Sequence, residues 1–170
     1  MNAIERTALF MRKHSLVLVT AESCTAGLIA ATLADVPGAG ALLDCAFVVY
    51  SPEAKMKCLG VSAHTLRHHN LTSEAVAREM ALGAARISRA NVVISNTGVT
   101  DGTDDEIPAG TQCFAWVFKG GGADASPAVY SETIQFAGSR NAIRLASAEH
   151  ALSRLVALYS EWTAEHHKRR

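Results

Sequence analysis

A chain of 170 residues has the length of one ordinary domain and can bury a hydrophobic core of its own. Hydrophobic residues make up 49% and charged residues 19% of it, a composition that excludes an intrinsically disordered protein. Basic and acidic residues balance at 16 each, so the charge favours neither nucleic acid nor an anionic membrane as a partner. The absence of an apolar run of about 20 residues predicts no membrane span.

The first half of the chain alternates between two kinds of periodicity. Residues 3–13 have apolar groups at helical spacing, and 16–20 (LVLVT) is a short β-branched run that predicts a strand. A helix is predicted over 28–34, closed by the turn residues DVPGAG, and a second strand over 44–50. A short helix is then predicted from Pro52 to the glycine of PEAKMKCLG.

The second half contains the remaining predicted elements. Ser73 is placed to cap a helix with an apolar stripe, and 91–98 (NVVISNTG) predicts a third strand running into a polar loop. Residues 111–119 and 128–136 predict a hairpin across the GGGADASP turn. The last helix is predicted to begin at about Ser139 and to fray at HHKRR.

Strands separated by helices, followed by a late hairpin, predict an α/β fold: a three-layer α/β/α sandwich with a mixed, mostly parallel sheet. No internal repeat, linker or break in composition interrupts the chain, so we expect one domain over residues 1–170. The start of the chain mixes charged with apolar residues and predicts no signal peptide. The scattered cysteines, without a CxxC pair, predict free thiols and a cytoplasmic protein: Cys24, Cys45, Cys58 and Cys113.

Three polar segments leave predicted strands at their carboxyl ends. They are AESCTAG after the first strand, YSPEAK after the second and NTGVTDGTDDEIPAG after the third. Ligands of open α/β sheets bind beyond the carboxyl ends of the strands. If these strands are parallel, the three segments converge on one cleft.

Ser23 in the first segment admits two interpretations. Its hydroxyl can cap the following helix, as the hydroxyl of Thr25 also can. Alternatively Ser23 is a nucleophile at a sharp turn, with the backbone N–H groups of Cys24, Thr25 and Ala26 free to stabilise an oxyanion. A serine nucleophile needs a base, and no histidine lies in the three segments, whereas Lys55 does.

Lys55 is the candidate base because burial can lower the pKa of a lysine amine. Tyr50, at the end of the second strand, can orient that amine or relay a proton. The alternative for Lys55 is a solvated helix lysine. Cys24 is a rival nucleophile at a helix N-terminus, although packing is the simpler role for it in the absence of a histidine base.

Other polar groups allow both functional and purely structural roles. The loop carboxylates at 101–106 do not match EF-hand spacing and form either a plain acidic surface or part of a binding site. The histidines His64, His68 and His69 lack further ligands nearby, so no metal is expected. Arg140 and Arg144 share a helix face and either bind an anion such as phosphate or are solvated.

The motifs together resemble a known family. TAESCTAG, FVVYSPEAKMKCLGV, SNTGV, PAGT and AGSRNAIR, in this order over nearly the whole chain, are similar to the CinA C-terminal domain family. The resemblance implies the same three-layer fold and a nicotinamide-nucleotide amidohydrolase of bacterial pyridine-nucleotide recycling. Such an enzyme converts nicotinamide mononucleotide to nicotinate mononucleotide and ammonia. The resemblance further implies a homodimer or higher homo-oligomer. No cofactor is expected, and the balanced charge predicts no nucleic-acid or membrane partner.

Roles for individual residues follow from the same resemblance. Ser23 matches the nucleophile and Lys55 the general base, with Tyr50 beside it. The remaining matched positions are assigned to substrate binding, the arginines near the substrate phosphate: Cys24, Thr25, Thr97, Gly98, Arg140 and Arg144.

The chain also departs from the family pattern. Ala26 stands where the family usually has glycine, and the loop TGVTDGTDDEIPAG replaces a sequence rich in glycine and proline. Its carboxylates would repel a phosphate by about 1 kcal/mol each at a few ångströms in water. Two further hypotheses follow: an amidase for a non-phosphorylated amide, and a non-catalytic nucleotide- or partner-binding module.

Overall fold

The structure, a computed structural model, describes residues 1–121 and 125–168, the side chain of His167 excepted. In chain order the elements are α1 (Ala3–Lys13), β1 (Leu18–Glu22), α2 (Leu28–Ala34), a 3₁₀ helix (Ala39–Ala41), β2 (Leu43–Val48), α3 (Pro52–Leu59), α4 (Ala63–His68), α5 (Glu74–Ile87), β3 (Val92–Gly98), β4 (Thr111–Phe118), β5 (Ala128–Gln135) and α6 (Arg140–Lys168).

The strands form one sheet in the order β2-β1-β3-β4-β5. β1 is parallel to both β2 and β3, and the register places Glu22 opposite Val48 on one side and Asn96 on the other. β4 is antiparallel to β3 and to β5, so β4 alone of these strands runs in the opposite direction. The predicted mixed, mostly parallel sheet is confirmed.

Two hydrophobic clusters cover the two faces of the sheet. Alternate residues of β1 point to opposite faces, so Leu18 contacts the cluster of α1, α2 and α6, and Val19 contacts that of α3 and α5. On β4 the same alternation places Trp116 in the first cluster and Val117 in the second. The predicted three-layer sandwich is therefore confirmed.

Several element bounds differ from the prediction. β1 extends through Glu22 because the polar residues that end it are buried and paired with β3. The short helix α4, capped by Ser62, was not predicted. The predicted fraying at HHKRR is wrong for its first residues, since α6 continues to Lys168. Residues 169–170 and part of the GGGADASP turn, 122–124, lie outside the described residues.

Helix α3 lies directly against α5 at Gly83. A Cβ built on Gly83 would lie 1.9 Å from the carbonyl oxygen of Leu59, the last residue of α3. Only glycine permits this approach, because any other residue would push the two backbones apart. This contact at the C-terminal end of α3 therefore helps to determine where the helix lies on the sheet.

Two expectations about the whole chain can be compared with the structure. All four cysteines are free thiols, as predicted. Within the described ranges, no helix combines the length and the apolar character that crossing a membrane requires.

Candidate active site

The three polar segments meet at one edge of the sheet. β1, β2 and β3 are parallel, so their carboxyl ends lie side by side, as the convergence argument predicts. A cavity of about 510 Å³ opens at this edge. It is lined by residues of five segments of the chain: Ser23, Cys24, Tyr50, Lys55, Asn70, Leu71, Thr72, Thr97, Gly98, Val99, Thr100, Asp101, Thr103, Asp104 and Arg140.

Ser23 and Lys55 are in direct contact in this cavity. Ser23 follows the last residue of β1, and Lys55 lies in the first turn of α3, which is capped by Ser51. The Nζ atom of Lys55 lies 3.0 Å from the Oγ atom of Ser23. Lys55 is only 1% exposed and Ser23 8% exposed, so Lys55 is not a solvated helix lysine.

The amine of Lys55 has two further contacts, both with backbone carbonyl oxygens. Nζ donates to the carbonyl of Val49 at 3.1 Å and to that of Tyr50 at 2.9 Å. Burial lowers the pKa of Lys55 from its ordinary 10.5 to about 8. About a tenth of the amine is therefore neutral at pH 7, and about half at pH 8.

Tyr50 contacts Lys55 through its backbone rather than its hydroxyl. The Tyr50 side chain is exposed, and its hydroxyl accepts a hydrogen bond from Nη2 of Arg140 at 3.4 Å. The predicted orienting contact thus runs through the carbonyl group, and the hydroxyl belongs to the wall of the cavity near Arg140.

The turn after Ser23 leaves one backbone N–H unbound. The Ser23 and Thr25 N–H groups donate to the backbone oxygen and Oδ1 of Asn96, both at 3.0 Å, and that of Ala26 donates to the Ser23 carbonyl. The expectation that the N–H groups of Thr25 and Ala26 are free is therefore wrong. Within residues 23–31, all of them described, only the N–H of Cys24 has no acceptor.

Neither hydroxyl of the turn caps α2. The N-cap of this helix is Gly27, which has no side chain to offer, and Ser23 Oγ is bonded to Lys55. The carboxylate of Glu22 instead accepts from the backbone N–H groups of Ile29 and Ala30 at the start of the helix. The hypothesis that Ser23 caps α2 is therefore wrong, because the Glu22 carboxylate accepts from the N–H groups that a capping hydroxyl would bind.

Thr25 lies away from the cavity. It is fully buried, and its hydroxyl donates to Oε1 of Glu22 at 2.7 Å. The structure thus places Thr25 beneath the turn, where the Glu22 carboxylate holds it, and not where the predicted substrate contact requires it.

The two arginines of α6 have different surroundings. Arg140 lines the cavity, and its Nη1 donates to the Thr100 hydroxyl at 2.9 Å. Arg144 does not line it: its Nε donates to the carbonyl of Cys24 at 2.9 Å, and its Nη2 to that of Thr25 at 3.3 Å. The predicted pairing of both arginines on one anion is not what the geometry provides.

Thr97 and Gly98, at the end of β3, line the cavity as the resemblance implies. A Cβ on Gly98 would lie 2.3 Å from Oε1 of Gln112 on the neighbouring strand. Gln112 also accepts from Nδ2 of Asn96 at 2.9 Å, and its own Nε2 lies 3.4 Å from Sγ of Cys24. Gly98 thus leaves room for the side-chain amide of Gln112, which connects Asn96 of β3 to Cys24 in the turn after β1.

Two carboxylates of the acidic loop, Asp101 and Asp104, line the same cavity as Ser23. The Thr103 hydroxyl, which donates to Asp101 at 2.7 Å, lowers the pKa of Asp101, and Arg140 lowers it further. Asn70 donates to Asp104 at 2.9 Å and likewise lowers the pKa of that carboxyl. Both groups are therefore negatively charged at neutral pH.

Sequence reasoning missed three groups of residues at the site. No role was predicted for Glu22, although a glutamate at the end of an apolar strand is an unusual residue that indicates a buried, hydrogen-bonded carboxylate. Asn96 opens the third polar segment, but its contacts with the turn were not predicted. Gln112 lies in a predicted strand, and nothing in the sequence distinguishes it from a surface position. Residues 70–72 line the cavity from the loop before α5, and no motif marks them.

The described residues offer no metal centre. No cluster of three or more His, Cys, Asp or Glu side chains capable of holding a metal ion occurs in the described ranges. The rings of His64 and His68 stack with their centroids 4.1 Å apart.

Comparisons with known proteins agree with this architecture. The chain belongs to the CinA C-terminal domain family, whose model matches residues 2–159. The nicotinamide-nucleotide amidohydrolase PncC of Escherichia coli K12 is 35% identical over 157 residues, which cover 91% of this chain and 92% of that protein. A longer protein of Symbiobacterium thermophilum is 40% identical over 147 residues, but the chain spans only 34% of its length.

A solved structure shares the fold. The competence damage-inducible protein A of Klebsiella pneumoniae superposes with a TM-score of 0.85 at 33% identity. The match covers 95% of this chain and 99% of that one.

Proposed function

We propose that this protein is a serine amidohydrolase that converts nicotinamide mononucleotide to nicotinate mononucleotide and ammonia. The observation that carries the proposal is the 3.0 Å contact between Lys55 Nζ and Ser23 Oγ inside a cavity. The name of the Escherichia coli relative, nicotinamide-nucleotide amidohydrolase, supports the choice of substrate.

The contacts of Lys55 fit the role of general base. A neutral amine has two N–H donors and one lone pair, and two carbonyl oxygens, of Val49 and Tyr50, lie within hydrogen-bond distance. When these carbonyls take both N–H groups, the lone pair is left for the hydroxyl proton of Ser23. Ser23 Oγ then attacks the carboxamide carbon as its proton passes to Lys55.

The tetrahedral intermediate requires a donor for its oxyanion, and the unbound N–H of Cys24 is the backbone group of the turn that remains for it. The C–N bond breaks as the Lys55 ammonium returns its proton to the leaving nitrogen, which departs as ammonia. Water, deprotonated by the neutral Lys55, then attacks the acyl-enzyme. The Ser23–acyl bond breaks as Lys55 returns that proton to Ser23 Oγ, and the carboxylic acid product is released.

Arg140 is the group proposed to bind the phosphate of the substrate. It lines the cavity, and a guanidinium can form two parallel hydrogen bonds with phosphate oxygens. Arg144 has no part in this step, because it does not line the cavity, and its Nε and Nη2 hold the carbonyls of Cys24 and Thr25.

Ammonia release from nicotinamide mononucleotide tests the proposal. The wild type should produce ammonia, and Ser23→Ala should abolish it. Ser62→Ala, which removes the hydroxyl that caps α4 and does not line the cavity, should retain full activity and serves as the matched control. Ammonia release by Ser23→Ala at the wild-type rate would refute the serine mechanism. A thermal shift with the nucleotide but no ammonia would favour the non-catalytic binding module.

A second substrate is favoured by the charges of Asp101 and Asp104, which face the cavity beside Arg140. These carboxylates oppose a phosphate and attract the cationic pyridinium ring, so nicotinamide riboside is the second candidate. A higher kcat/KM for the riboside than for the mononucleotide would select it. A homo-oligomer stays a prediction of the resemblance, and a cytoplasmic location stays a prediction from the cysteines.

A further inference from the structure

We propose that Glu22 is a positioning residue that holds the turn of Ser23 in its reactive geometry. The inference rests on the proposed role of Ser23 as the nucleophile. Glu22 is the last residue of β1, precedes Ser23 directly, and is fully buried. A buried carboxylate is strongly unfavourable unless hydrogen bonds compensate for the lost water, so its partners define what it stabilises.

The partners of Glu22 belong mostly to the turn and to the helix that follows it. Oε1 accepts from the Thr25 hydroxyl at 2.7 Å, from the Ile29 N–H at 2.9 Å and from the Gly27 N–H at 3.2 Å. Oε2 accepts from the Ala30 N–H at 3.1 Å and from the Thr20 hydroxyl at 2.9 Å. The three backbone N–H groups can only donate, so the oxygens of Glu22 serve all three as acceptors.

Arg144 and Asn96 hold other backbone groups of the same turn. Arg144 donates to the carbonyls of Cys24 and Thr25, and Asn96 accepts from the N–H groups of Ser23 and Thr25. Glu22 thus accepts from the N–H groups of Gly27, Ile29 and Ala30. Arg144 and Asn96 bind the backbone groups of the three residues before them in the chain, Ser23, Cys24 and Thr25. The result is a turn in which only the Cys24 N–H remains available to a ligand.

Glu22 acts on the position of Ser23 and not on the substrate. Glu22 does not line the cavity, so it has no contact with the substrate. Without its carboxylate, the N–H groups of α2 and the Thr25 hydroxyl lose their acceptor, and the turn can move Ser23 Oγ away from Lys55. Misplacement of a nucleophile by about 1 Å can reduce a rate about 100-fold.

A fluorophosphonate reagent that acylates reactive serines tests the inference without any substrate. Its rate of reaction with Ser23, measured per folded protein, should fall about 10- to 100-fold in Glu22→Gln. The matched control is Glu79→Gln, which removes another helix-capping carboxylate, one that accepts from the Ser62 N–H at 2.7 Å. The control should lose stability and keep the wild-type labelling rate.

Thr25→Val supplies a second variant if Glu22→Gln does not fold. It removes the hydroxyl that donates to Glu22 and should slow labelling about tenfold, whereas Thr25→Ser should restore the rate. With nicotinamide mononucleotide, the same variants should lower kcat while KM stays within about twofold of wild type.

Each outcome decides a different point. Labelling of Glu22→Gln, or of Thr25→Val, as fast as wild type would overturn the positioning role and leave the amidase intact. A wild type that labels at Ser23 but releases no ammonia would refute the substrate and not the role of Glu22. A wild type that is not labelled would overturn both proposals.

Discussion

Gly83 of α5 and Leu59 of α3 approach so closely that a Cβ on the glycine would lie 1.9 Å from the Leu59 carbonyl oxygen. Since Lys55 lies one turn before Leu59 on α3, this contact outside the cavity lining helps to place the proposed base against Ser23. We expect Gly83→Ala to lower kcat about tenfold and to destabilise the fold by about 1–3 kcal/mol.

The matched control for this prediction is Gly40→Ala. Gly40 has no atom within 4 Å of a built Cβ, so stability and kcat should both stay near wild type. Ammonia release and thermal unfolding of the two variants provide the comparison. An unchanged kcat in Gly83→Ala would mean that α3 does not depend on this contact for the placement of Lys55.

The pH dependence of the rate should follow the amine of Lys55. Its pKa is lowered to about 8 by burial, and only the neutral form can accept the Ser23 proton. We expect kcat/KM to rise between about pH 6 and 9 with a midpoint near 8 and then to level off. Lys55→Arg should be inactive throughout, because a guanidinium keeps its proton in this range. A rate that falls over the same interval would contradict the assignment.

Stability should also depend on pH through Lys55. Its pKa is lower in the folded protein, about 8, than the ordinary 10.5, so the unfolded chain binds more protons between these values. The free energy of unfolding of the wild type should therefore rise, relative to Lys55→Met, by about 2–3 kcal/mol between pH 7 and 10.

Urea unfolding of both proteins across this pH range measures that difference. Contributions of other titrating groups are common to the two proteins and cancel. A difference that is constant with pH would show that Lys55 keeps its ordinary pKa in the folded protein.

Ala26 offers a test of backbone strain. Its φ of 47° lies in the left-handed region, which glycine occupies without steric cost. Ala26→Gly should therefore stabilise the fold by about 0.5–1 kcal/mol and leave the activity intact. Ala30→Gly, inside α2, should have the opposite sign, since glycine weakens a regular helix. Thermal unfolding compares the two, and a destabilised Ala26→Gly would count against the strain.

Asp101 should determine how well a phosphate is tolerated. It lines the cavity, and its charge is coupled to that of Arg140. Removing this charge in Asp101→Asn should lower KM for nicotinamide mononucleotide about fivefold and leave KM for the riboside unchanged or higher. Asp105→Asn, on the same loop but outside the cavity lining, is the control. Equal effects on both substrates would show that Asp101 does not oppose the phosphate.

The layered fold and the meeting of Ser23 with Lys55 were predictable from the sequence, because strand and helix periodicities specify parallel strands whose ends share an edge. The hydrogen-bond partners of the turn after Ser23 were not predictable from the sequence. Whether Arg144 binds a ligand or the carbonyl of Cys24 depends on the depth at which α6 lies, and periodicity carries no information about depth. The burial of Glu22 likewise arises from tertiary packing around β1 and α2.

The reversed direction of β4 brings Gln112, at the start of one strand, beside Gly98, at the end of another. The contacts of the turn accordingly join distant parts of the chain: Thr25 to Asn96 across 71 residues, and Arg144 to Cys24 across 120. Contacts of such separation form late in folding. During refolding, the reactivity of Ser23 should therefore return only after the sheet has assembled. A proteolytic fragment that lacks the N-terminal or the C-terminal half of the chain should show no serine reactivity.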